Sequence, residues 1–258
     1  MHGLTKEEAR IFLDDKYQQY NKPDFIETDP ISIPRSFTDD NDIEISAFLS
    51  AIIAWGQRTT IIKNARRLMT LMDNSPHDFI INASAKDLSG LKFFKHRTFN
   101  GTDLEYFIFS LQNIYRNHGG LKAVFESHYL QNRSIHHTIC EFRDLFFSIS
   151  PPGRTGKHIS NPATGSSAKR INMFLRWMVR RDNRGVDFGI WNNIDAHALQ
   201  IPLDVHTGNV SRKLGLLKRK QNDWRAVEEL TCVLRGFDKE DPVKYDFALF
   251  GLGVFEKF

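Results

Sequence analysis

The run EISAFLSAIIAWG, residues 44–56, is apolar on nearly every face of a helix, which leaves no side suited to water. Such a segment predicts a helix in the middle of the fold, ended by Gly56, with the rest of the chain packed around it. Thr5 and Glu8 have capping-box spacing, and Ile11, Phe12, Leu13 and Tyr17 suit a helix ending near Tyr20. Pro23, Pro30 and Pro34 forbid a long helix over 21–43, which reads as a loop, and the Asp and Asn cluster at 39–42 prepares the next helix start. Ile62, Ala65, Leu68, Met69 and Met72 follow at amphipathic spacing. Ser75-Pro76 has N-cap and N1 chemistry, and Thr102 opens a helix through Leu104, Phe107, Leu111 and Ile114. After Pro242, a plausible N1, the end of the chain is again apolar and aromatic. No alternating run is long enough for a sheet and no internal repeat is visible, so the predicted fold class is all-α.

Composition narrows the partners. Hydrophobic residues are 41% and charged residues 26%, and no segment reaches the roughly 18 uncharged apolar residues of a membrane span, so no membrane is expected. MHGLTKEEARIFLDDKY lacks the apolar core of a signal peptide, which gives a cytoplasmic expectation. Cys140 and Cys232 are isolated, which excludes a zinc ribbon or a cysteine-ligated iron-sulfur cluster. The net charge of +4 is a weak hint of a polyanionic partner. The first forty-odd residues are acidic, however, whereas 157–225 carry mostly Lys and Arg; that half is either a solvated surface or faces phosphates.

Three constellations carry chemistry. In IPLDVHTGNV, residues 201–210, Asp204 reads as an N-cap whose carboxylate is held ionised at a helix mouth. That role is compatible with deprotonating a nucleophile or stabilising a cation beside it. Lys169 follows GRTGKHISNPATGSSA, residues 153–168, which reads as a domain linker or a functional loop, and opens KRINMFLRWMVRR. There Ile171, Phe174, Leu175 and Met178 share one face, with Lys169, Arg176 and Arg180 nearly opposite. Lys169 is either an exposed lysine of that stripe or, partly desolvated beside Arg170, an amine able to form a Schiff base. His197, Asp204 and His206 are alternatively metal ligands of a phosphohydrolase, although neither an HD pair nor a His-x-x-x-His spacing accompanies them.

GSSAKRINMFL followed by IPLDVHTGNVSRKLGL resembles the helix-hairpin-helix DNA glycosylase superfamily, which includes the endonuclease III and 8-oxoguanine glycosylase families. AIIAWGQRTTIIKNARRL is similar to an early helix of the same enzymes, and YDFALFGLG to a base-contacting segment of the archaeal 8-oxoguanine branch. The whole chain is also similar to a bacterial family of this superfamily whose members are mostly uncharacterised. The likeness covers 44–73 and 162–217, with a looser extension to the C-terminus. Gly165 stands four residues before Lys169 rather than in a compact LPGVGRK pattern, the stretch RRDNRGVDFGIWNNIDAHALQ is an insertion, and the iron-sulfur cysteines of endonuclease III are absent.

The resemblance implies one two-lobed helical domain with a helix-hairpin-helix element, a central lobe at 44–150 and a second lobe made of 1–43 plus 151–258. It implies a base-excision DNA glycosylase with abasic-site lyase activity, acting on a damaged base such as an oxidised purine. Lys169 would be the nucleophile and Asp204 its assistant. Gln57, Gly165, Ser166, His206 and Arg212 would contact DNA, Arg176, Arg180 and Lys213 its phosphates, and Asp246 and Phe250 the extruded base. The expected partner is double-stranded DNA containing a damaged base, bound by a monomer without cofactor or metal. A non-catalytic DNA- or RNA-binding protein on the same scaffold is the alternative.

Overall fold

The structure, a computed structural model, describes residues 4–149 and 151–258. It divides into two compact units, Ile26–Ser160 and a second built from Met1–Phe25 with Asn161–Phe258. Helix α1 is Lys6–Tyr20, and α2, Asp24–Glu27, carries the chain across the first boundary.

In the unit Ile26–Ser160 the helices are α3 (Asp40–Ile52), α4 (Arg58–Leu71), α5 (Pro76–Asn82), α6 (Ala85–Leu91), α7 (Gly101–Asn117), α8 (Gly120–Asn132) and α9 (Ile135–Phe146). Two-residue strands β1, Lys95–His96, and β2, Phe99–Asn100, form an antiparallel hairpin. The all-buried helix expected from Glu44 is α3, and it starts earlier because Asp39 caps it, its carboxylate accepting from Asn41 N at 2.9 Å and Asp42 N at 3.2 Å. It ends at Ile52 rather than at Gly56, whose φ of +108° instead makes the corner into α4. Ser75 does not cap α5 with its side chain; Asp42 does, accepting from His77 N at 2.8 Å. Helix α7 opens one residue before Thr102, with Asn100 accepting from Thr102 N at 3.0 Å.

The stretch read as a loop, 21–43, contains two short 3₁₀ turns that bury Ile31 and Ile33 with α3 and α4. Residues 155–158 join this unit for a polar reason: Thr155 Oγ1 donates to Asp103 Oδ1 at 2.8 Å, and His158 Nε2 lies 3.2 Å from Asp103 Oδ2. Phe48, Phe107, Phe142 and Phe146 pack as a buried aromatic cluster at the centre.

The other unit holds α1 with α10 (Lys169–Val179), α11 (Val205–Lys213), α12 (Trp224–Arg235) and α13 (Tyr245–Val254). The Thr5–Glu8 capping box forms as expected, with Thr5 N donating to Glu8 Oε2 at 2.7 Å. Pro242 starts a 3₁₀ turn, Pro242–Lys244, that leads into α13. Helix α13 lies against α1 so closely that a Cβ at Gly251 would overlap the Tyr20 ring. Gly251→Ala is therefore expected to destabilise the fold by about 1–3 kcal/mol through overpacking, despite alanine's better helix propensity. Denaturant unfolding of the two proteins checks this, and an unchanged midpoint would show that Tyr20 swings away freely. Among the described residues no helix is long and apolar enough to cross a membrane.

Candidate active site

Two helix starts meet in the unit Met1–Phe25 with Asn161–Phe258. The first is α10. Before it, Pro162–Thr164 is a single 3₁₀ turn, Gly165 is left-handed at φ +90°, and Ala168 is left-handed at φ +45°. The loop is fastened rather than loose. Gly165 O accepts from Trp224 N at 3.0 Å, Ser166 bridges to Asp223, and Ser166 Oγ accepts from Ala168 N at 3.2 Å. Lys169 is thereby set as the first residue of α10.

The second start is α11. Asp204 caps it as expected, Oδ1 accepting from Thr207 N at 3.0 Å, while its carbonyl accepts from Asn222 Nδ2 at 3.0 Å. One oxygen thus holds the helix and the other is available: Oδ2 lies 3.7 Å from Lys169 Nζ, and the two side chains are 24% and 23% exposed. Lys169 Nζ also donates to Met173 Sδ at 3.6 Å. A cation and a carboxylate share one partly solvated position, and each is fixed at its base by a helix start.

Asp246, on α13, is buried within electrostatic reach of this pair. It is 5% exposed and accepts from Arg176 Nη1 at 2.5 Å. Burial raises its pKa to about 6, against Arg176 and Lys169 and with help from Asp204. Because the folded value stands above the ordinary 3.8, this carboxyl favours the folded state most below about pH 4, and that contribution is lost as pH rises through about 6. Asp246→Asn is expected to gain stability relative to the parent between pH 4 and 7, on the order of 3 kcal/mol at full titration. Unfolding midpoints of both proteins across that range test it; parallel curves would refute it.

The expectation of a basic stripe on α10 is overturned. Arg176 and Arg180 are 3% and 0% exposed and meet aspartates, not solvent. Arg176 Nε donates to Asp187 Oδ1 at 3.2 Å, and Arg180 Nη1 to Asp187 Oδ2 at 3.0 Å. Arg180 Nε donates to Asp241 Oδ2 at 2.8 Å and its Nη2 to Tyr17 Oη at 2.8 Å. Burial opposes the Arg180 charge, but Asp187, Asp241 and Asp182 outweigh it and raise its pKa. The cause is the segment that follows α10 and folds back along it: Phe188 N donates to Trp177 O at 2.8 Å and Trp191 N to Met178 O at 2.9 Å, satisfying helix-end carbonyls. Gly189, at φ +60°, permits this return, since a Cβ there would press on Arg180 O at 3.0 Å. Asp187, central to the network, sits in a segment without periodicity; its alternating Arg and Asp composition was the one available signal.

The remaining expected contacts are distributed unevenly. Gly165 and His206 are exposed and Ser166 half-buried. Arg212 turns inward, its Nε donating to Arg219 O at 2.8 Å and its Nη2 to Asn222 Oδ1 at 2.6 Å, which pins the loop that also supports Asp204. Phe250 packs edge-on with Phe25 at 6.1 Å and with Phe255 at 6.5 Å. Gln57 belongs to the other unit, where it is exposed at the start of α4. His197, Asp204 and His206 do not gather into a metal site: no group of three or more metal-ligating side chains occurs among the described residues.

The fold and the site thus define an all-helical protein with a lysine–aspartate pair at two helix mouths. Residues 29–255 match the family described as "Protein of unknown function (DUF2400)", and the chain belongs to that family. No curated protein and no solved structure matches it.

Proposed function

We propose that the protein is a base-excision DNA glycosylase with abasic-site lyase activity, on a two-lobed scaffold of the helix-hairpin-helix glycosylase kind. The observation that carries this reading is the 3.7 Å approach of Lys169 Nζ to Asp204 Oδ2 at a partly solvated position. Asp204 takes a proton from the Lys169 ammonium, and the freed amine attacks C1′ of the extruded nucleotide. The C1′–N bond breaks as the base leaves with its electron pair and receives the proton that Asp204 holds. The C1′–O4′ bond then breaks, O4′ taking the proton that the lysine nitrogen sheds, which gives a Schiff base on Lys169; Asp204, ionised again, takes a C2′ proton as the C3′–O bond breaks and the 3′-phosphate leaves. Extrusion of the nucleotide costs a few kcal/mol and is easiest for a lesion that pairs badly.

The inward-turned Arg212 and the 3₁₀ turn in place of a helix before Gly165 favour the alternative, a DNA-binding protein without chemistry. Borohydride reduction of the full chain on duplexes holding an abasic site or 8-oxoguanine separates the two. A covalent protein–DNA adduct supports the enzyme. Binding without adduct on the abasic duplex overturns the lyase step.

A further inference from the structure

We propose that α4 and the β1–β2 hairpin form a surface that takes a single strand of nucleic acid, phosphates on its cations and an unpaired base stacked on Phe93. The proposal goes beyond the Lys169–Asp204 reading and uses neither residue. Phe93 is 84% exposed, more than any other large hydrophobic among the described residues. The chain has no acidic residue between Glu44 and Asp73 and none between Asp87 and Asp103, and the exposed cations of those stretches are Lys63, Arg66, Arg67, Lys92, Lys95 and Arg97. Tertiary structure makes them one patch. Asn64 Nδ2 lies 2.9 Å from His96 Nδ1, and Arg67 Nη2 donates to Phe93 O at 3.4 Å. The Arg97 side chain packs over Gly56, the corner before Gln57.

Apart from Arg67, none of these cations forms an ion pair or a side-chain hydrogen bond among the described residues, so the patch is an uncompensated positive surface. One exposed phenylalanine is by itself ordinary. Here its neighbours Phe94 and Phe99 are 1% exposed, so a lone ring stands out of a charged surface, too small an apolar area for a partner helix or a bilayer. A single π-face among phosphate-binding cations suits a nucleobase. The strand must offer that base unpaired, because a closed duplex already covers its base faces.

The test is fluorescence anisotropy of the full chain with a labelled single strand, the same sequence as a blunt duplex, and phosphatidylserine vesicles as competitor. Phe93→Ala is expected to weaken single-strand binding about ten-fold, while Phe93→Trp, which keeps a stacking face, retains it. Removing Lys63, Arg66, Lys95 and Arg97 together is expected to flatten the dependence of log affinity on log salt by about 3. An unaltered single-strand affinity for Phe93→Ala, an equal loss on the duplex, or displacement by the vesicles would overturn the proposal. Each of these can occur while borohydride trapping succeeds, and trapping can fail while all expected results hold, so the two readings fall separately.

Discussion

Lys169→Ala is expected to give no borohydride adduct with abasic DNA, because the residue supplies the only nitrogen in the Lys169–Asp204 pair that can bond to C1′. Asp204→Asn is the sharper variant. Asparagine caps helices about as well as aspartate, so the bond from Thr207 N at 3.0 Å has a ready acceptor and stability should shift by only a few tenths of a kcal/mol. The amide cannot accept the ammonium proton. The rate of adduct formation should therefore drop by roughly 10²–10⁴-fold, the usual weight of a positioned general base. Asp204→Ala removes both roles and should add about 1 kcal/mol of lost stability from the missing cap. Rates from quenched trapping, read beside unfolding midpoints, separate chemistry from capping. An adduct that survives Lys169→Ala would move the nucleophile elsewhere.

The largest effect on stability is expected at Arg180. Its guanidinium meets Asp182 at 2.8 Å, Asp187 at 3.0 Å and Asp241 at 2.8 Å with no exposed surface of its own. Truncation to alanine strands these carboxylates beside the site left by a lost cation, which should cost about 3–5 kcal/mol. Arg180→Lys keeps the charge but loses the planar fork that serves several acceptors, so it should restore only part of the loss. Denaturant unfolding at neutral pH provides the measurement. A loss below about 1 kcal/mol would mean that water reaches and compensates these carboxylates as it does for surface pairs. Arg176 joins the same network to Asp246, so the buried ion pairs of this unit extend to a carboxyl that feels the charges of Lys169 and Asp204.

Local chemistry was legible wherever the signal lay within a few residues. The Thr5–Glu8 box, the Asp204 cap and the buried helix that contains Ile45–Ile52 all follow from spacing, because a cap bond or a helix face is decided by neighbours three or four positions away. The roles of Arg176 and Arg180 were not legible in this way. Helical periodicity puts them opposite the apolar face and so toward water, but periodicity says nothing about what a distant segment lays over that face. Besides the nearby Asp182, the aspartates that cover them come from positions 187, 241 and 246. Likewise Asp42, a first-turn residue of α3, caps α5 across a separation of 35 residues.

The sequence by itself determined an all-helical chain, several of its helix starts, and two candidate reactive residues at positions 169 and 204. Tertiary structure alone decided that those two side chains approach to 3.7 Å, that Asp246 is buried against Arg176, and that a stripe of arginines is interior. Helix and cap preferences act over one or two turns of backbone, whereas the pairing of charges depends on which segments the fold brings together, and that is fixed only when the whole core is packed.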